Sequence, residues 1–144
     1  MNVDVVRSTV RHSARRVTAS SRYGDLVRNQ DTATVSFRIL TSGNRTYLLQ
    51  LSAGPGNRKG RVVFERYAGS TLVPVRCAGV RRSVQYVRNR LVVSVPRRCL
   101  KRPKWVSYTG EATAIEEGPG AAYTDALLSG DPVNDLFSPR IRRR

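Results

Sequence analysis

The chain has 144 residues, of which 40% are hydrophobic and 7% aromatic, with 26 basic against 10 acidic side chains and a formal net charge of +16. That length fits one domain with its own core and leaves no room for a second, while the basic excess points towards anionic partners. Two cysteines and one histidine, without close C-x-x-C or H-x-x-x-H spacing, argue against a zinc site; no cofactor motif is found, and no run is long enough for a membrane-spanning helix.

Val, Thr, Ser, Arg and Tyr are abundant and Lys, Met and Glu scarce, a composition that favours strands. Asn2 to Val10 alternates, with Val3 and Val5 on one side, and Arg16 to Tyr23 repeats the pattern through Val17, Ala19 and Ser21. Together they predict a first strand pair, with His12 as a solvated turn residue between them rather than a catalytic base. DLVRNQDT, from Asp25 to Thr32, reads as a loop. Ala33 to Leu40 sets Val35, Phe37 and Ile39 on one face, and after the turn TSGN the stretch Thr46 to Ala53 returns with Tyr47, Leu49 and Leu51 aligned. GPGNRKG, from Gly54 to Gly60, is a tip that lacks the GKS or GKT ending and the following helix of a phosphate loop. Arg61 to Tyr67 and Leu72 to Cys77 add two short apolar runs joined by AGST.

The centre of the chain is Arg76 to Trp105, which contains both cysteines. Ser83 to Val87 and Arg90 to Val95 alternate about Arg88 and Asn89, which predicts a hairpin with a two-residue turn. In that register Tyr86 faces Leu91 and Val84 faces Val93 on an apolar side, while Gln85 faces Val92 and Ser83 faces Ser94 on a mixed side. Extended outwards, it sets Cys77 nearly opposite Cys99, so a disulfide across the open end is geometrically reasonable; two separate buried thiols are the other reading. Pro96 ends the hairpin, PRRCLKRP forms a rigid crossover, and Trp105 to Thr109 begins a further strand. About nine short strands, spaced by roughly ten residues, define an all-β fold, a two-sheet antiparallel β-sandwich with one disulfide.

Charge is segmental. Arg76 to Lys104 holds ten basic residues and no acid, and Arg81, Arg82, Arg88, Arg90, Arg97, Arg98, Lys101, Arg102 and Lys104 are the candidate polyanion-binding residues. The competing explanation is that 23 of the 26 cations are arginine, as codon bias in a GC-rich genome would produce without any ligand. From Glu111 the composition turns to Gly, Pro, Ala and acid. The expected organisation is a sandwich domain over residues 1–110, an acidic linker over 111–135, and a docked edge strand with a basic terminus over 136–144. In that last part Phe137 and Ile141 supply the apolar contacts, and DALL is too short for a helix of its own.

Three stretches carry a resemblance: DVVRSTVRHSARRVTASSRYGDL near the start, FERYAGSTLVPVRCAGVRRSVQYVRNRLVVSVPRRCLKRPKWV in the middle, and LFSPRIR at the end. Over most of its length the chain resembles a group of secreted actinobacterial proteins of uncharacterised function with a disulfide-bearing β-sandwich. The VSVPRRCL step is more distantly similar to carbohydrate-binding and DOMON-type sandwiches. Where such relatives often carry an acidic D-x-D turn after the third strand, this chain has Thr41, Ser42, Gly43 and Asn44, so their calcium site is not carried over. The resemblance implies a fold and an exported location but no activity.

Location is read from opposed signals. MNVDVVRSTV has no apolar centre of a signal peptide, whereas a cysteine pair set for bridging belongs to an oxidising compartment. A removed leader or a misassigned start reconciles them, placing the protein outside the cell or in its envelope; reduced cysteines would place it in the cytoplasm. The expected function is a non-catalytic binding module for polyanionic or carbohydrate polymers of the envelope, or for a protein partner. Nucleic-acid binding through the basic hairpin is the alternative. A hydrolase is the remaining one, resting on Asp25, Asp31 and Glu65, whose spacing follows no glycosidase pattern, and there is no G-x-S-x-G motif.

Overall fold

The computed structural model describes residues 2–25, 31–116, 122–126 and 137–144. Strands β1 (Asn2–His12), β2 (Arg16–Asp25), β3 (Asp31–Thr41), β4 (Thr46–Gly54), β5 (Asn57–Ala68) and β6 (Thr71–Pro74) are followed by β7 (Arg81–Gln85) and β8 (Arg90–Pro96). After one turn of 3-10 helix at Arg97–Leu100 come β9 (Trp105–Glu116), β10 (Ala122–Ala126) and the two-residue β11 (Ile141–Arg142). The described residues contain no α-helix. All ladders are antiparallel. One sheet runs β1-β2-β8-β7 and the other β10-β9-β3-β4-β5-β6, with β11 also paired to β9. The fold is therefore the expected two-sheet sandwich, with eleven strands among the described residues.

Strand period decides the core. In β3 and β4, Val35, Phe37, Ile39, Tyr47, Leu49 and Leu51 all point inwards and are buried. Val17 and Ala19 of β2 and Leu91, Val93 and Val95 of β8 meet them from the other sheet. One side of the sandwich is closed where β1 approaches β9 and β10, the other where β7 approaches β5. Gly60 allows that second approach: at φ +93°, a Cβ there would lie 2.7 Å from Leu51 Cδ1 and 3.0 Å from Val84 Cγ2.

Cys77 and Cys99 form a disulfide, with Cα atoms 6.0 Å apart. It closes the open end of the β7–β8 hairpin, joining the irregular segment before β7 to the 3-10 turn after β8. The expected rigid crossover begins with that turn, which buries Cys99 and Leu100 and ends with Lys101 in the left-handed region.

The hairpin register differs from the expected one. Val84 pairs with Leu91, Ser83 with Val92 and Gln85 with Arg90, across a four-residue loop, Tyr86 to Asn89, closed by Asn89 N–H donating to Tyr86 O at 3.2 Å. A two-residue type I′ turn needs positive φ at both central residues, which Arg88 resists; here Asn89 alone takes it, at 52°. The shift moves each partner by two residues, an even step, so the faces stay as expected.

β9 also runs past the expected domain boundary at residue 110. Its ladder with β3 extends from Thr41↔Val106 to Asp31↔Glu116, and β10 pairs back on residues 111–115. The rest of the expected acidic linker lies outside the described residues, as do residues 26–30 of the expected loop after Asp25. The expected edge strand docks as β11, with Ile141 opposite Val106. Arg140 stacks on the Trp105 ring at 4.3 Å, and Ser138 exchanges bonds with Tyr108 and Ser107.

Candidate anion-binding surfaces

The outer face of the β1-β2-β8-β7 sheet is built by alternation. With Val17, Ala19, Ser21 and Tyr23 buried inside, Arg16, Thr18, Ser20 and Arg22 must point outwards. The registers align these with neighbours on both sides. One cross-strand row reads Arg7, Arg22, Arg90, Gln85; the next Thr9, Ser20, Val92, Ser83; the third Arg11, Thr18, Ser94, Arg81. Neighbouring strands lie ~4.8 Å apart, so three guanidinium-bearing residues stand side by side, and like charges directly opposite one another destabilise a sheet. Arg7, Arg11, Arg22 and Arg90 also line a groove with Thr9 and Ser20, without an acidic residue. None of these four has a side-chain partner among the described residues.

Arg16 crosses the sheet edge. Its Nη2 donates to Gly79 O at 2.6 Å and to Ser94 O at 3.1 Å, and its Nε to Ser94 Oγ. Burial, followed by the charges of Arg81 and Arg98, pulls its pKa below the usual arginine value.

The structure divides the nine residues expected to form one basic region. Arg81 and Arg90 belong to the outer sheet face. Arg82 and Arg88 line an open pocket of about 920 Å³ with Arg58 and Lys59. Arg98 and Lys101 line a cleft beside the disulfide with Arg45, Arg66 and Arg76. Arg102 and Lys104 are exposed in the connection to β9. Arg97 turns inwards: its Nη2 donates to Pro103 O at 2.7 Å and its Nε to His12 Nε2 at 3.1 Å. Arg7, Arg11 and Arg22 lie far from the basic run in sequence, and their only local signal is arginine at the polar positions of alternating strands.

His12 is not the solvated turn residue that its sequence context suggests. It is 3% exposed at the inward end of β1. Because arginine Nε–H can only donate, His12 Nε2 accepts; the ring proton therefore sits on Nδ1, which donates to Ile141 O at 3.0 Å. Arg144 N–H donates to His12 O at 2.9 Å. Both ring nitrogens are committed, so the histidine fastens β1 to the C-terminal segment and has no free nitrogen for catalysis.

Burial first, then the charges of Arg97 and Arg143, lower the His12 pKa against the opposing effect of the Ile141 bond. A folded value below the unfolded one of about 6.5 means that the native state resists protonation. Its contribution is complete above the unfolded value and is lost as pH falls from there through the folded value. Urea midpoints should fall between pH 7.5 and 5.5, and His12→Gln should flatten that dependence; an unchanged slope in the variant would exclude His12 as its source.

Among the described residues no three His, Cys, Asp or Glu side chains group as a metal site, and no helix is long and apolar enough to cross a membrane. No protein-family profile matches the chain, and no curated protein matches it in sequence.

Proposed function

We propose that this disulfide-bearing sandwich is a non-catalytic, exported module that holds an anionic polymer of the cell envelope on the outer face of its β1-β2-β8-β7 sheet. The observation that carries this reading is the row Arg7, Arg22, Arg90, three cross-strand like charges without a partner among the described residues. A polyanion offsets their mutual repulsion and its release of counterions drives binding. The hydroxyls of Thr9, Thr18, Ser20 and Ser83 beside the row suit phosphate and sugar oxygens. The rows carry no aromatic residue, so base stacking contributes nothing there, which favours a polymer without bases over nucleic acid. The bridge Cys77–Cys99 supports export.

The test compares Arg7→Glu/Arg22→Glu/Arg90→Glu with Arg102→Glu/Lys104→Glu/Arg142→Glu, which removes the same charge from exposed positions elsewhere. Binding to glycerol-phosphate polymer, heparin and DNA is measured against salt. The first variant should lose roughly tenfold or more in affinity, with a salt slope smaller by about 3, and the second much less. Equal losses would leave net charge alone as the cause. Much tighter binding of DNA than of a polyphosphate of equal charge density would replace this reading with nucleic-acid recognition.

A further inference from the structure

A second concavity lies beside the disulfide. Its cations come from separate parts of the chain: Arg45 from the β3–β4 turn, Arg66 from β5, Arg76 from the segment before β7, and Arg98 and Lys101 from the 3-10 turn and its exit. They converge on a concavity of about 390 Å³ with no acidic residue in its lining, towards the lower end of the ~300–1,000 Å³ found for small-molecule sites. Pro74, Val75 and the bridged cysteines add apolar wall. Arg98 is anchored by an Nη2 bond to Ala78 O at 2.8 Å, and Arg45, Arg66, Arg76 and Lys101 have no side-chain partner among the described residues.

We propose that this cleft is a second, separate binding site for a phosphate or sulfate monoester of a sugar-sized molecule. Arginine forks match the oxygens of a tetrahedral anion two at a time, and a concave wall strengthens the field of clustered charges. The five cations accommodate a dianion, while Pro74 and Val75 receive the organic part. The bridge is part of the site, since it fixes the backbone of Arg76, next to Cys77, against that of Arg98, next to Cys99. The same head group is offered by a free sugar phosphate or by the phosphorylated end of a polymer, and it is recognised in either case without the arginine row of the sheet face.

Calorimetric titration of the oxidised protein with glucose 6-phosphate, glucose and inorganic phosphate tests the site. The monoester should bind, glucose should not, and inorganic phosphate should bind more weakly for want of the apolar contact. Arg76→Gln/Lys101→Gln, at two exposed positions, should weaken the monoester by about tenfold or more, whereas the Arg7/Arg22/Arg90 reversal should leave it unchanged. Absence of monoester binding, or binding indifferent to Arg76→Gln/Lys101→Gln, would overturn the proposal; inorganic phosphate binding as tightly as the ester would overturn its organic subsite. Loss of polymer binding after phosphatase removes the terminal monoester, in the reversal variant, would assign the polymer end as the source. Retention would assign the free sugar phosphate.

Discussion

Phe37→Ala is expected to lower the unfolding free energy by about 3 to 5 kcal/mol. Phe37 is fully buried at the middle of β3, opposite Leu49 on β4 and Gly110 on β9. Gly110 has no side chain to share the space beside the phenyl ring, and Tyr108 packs against that ring with 6.1 Å between centroids. Truncation therefore opens a hole beside a position that cannot extend into it. The urea midpoint should fall with the slope unchanged, and a loss under about 1 kcal/mol would mean that the ring is not part of the packed core.

Replacing both cysteines by serine should cost about 3 kcal/mol on the loop-entropy account, for a bridge spanning 22 positions. A domain stable by roughly 5–15 kcal/mol would lose a large part of its margin. The bridge also joins a segment with no ladder of its own, residues 75–80, to the 3-10 turn, so the loss should be accompanied by faster amide exchange around Arg76 and Arg98. Intact mass after alkylation without reductant provides the direct check. Two alkylated thiols in natively produced protein would remove the basis of both the expected loss of stability and the proposed export.

What the sequence disclosed follows from how local each feature is. β3 and β4 are legible because Val35, Phe37, Ile39 and Tyr47, Leu49, Leu51 alternate without interruption and a short turn joins them. The disulfide is legible because Cys77 and Cys99 are symmetric about the hairpin loop, an arrangement that tolerates the two-residue error in register. β9 is hidden beyond Gly110 because the composition from Glu111 reads as a linker, whereas the ladder with β3 overrides the low strand propensity there.

His12 is hidden because irregular register between Asn2, Val5 and Arg7 resets the alternation of β1, bringing Val10 and His12 inwards. The arginine row is the least legible feature. Its members sit on β1, β2 and β8, and no local pattern reveals that Arg22 stands beside Arg90. The basic run from Arg76 to Lys104 drew attention to charge density along the chain, while the fold gathers its cations by pairing strands distant in sequence.

The same pairing sets the order in which the molecule can be made. β1 and β2 form a hairpin, but β2 has no partner on its other edge until Arg90–Pro96 has been synthesised. The bond from His12 to Ile141 must wait for residues later still. Until then the inward faces of Val17 and Ala19 lack the sheet that covers them. Folding of this kind, dominated by long-range strand pairs, is expected on the slow millisecond-to-second scale. During that interval the like charges of Arg16 and Arg22 oppose pairing of the free edge of β2 with another copy of the same strand, whatever the finished protein binds.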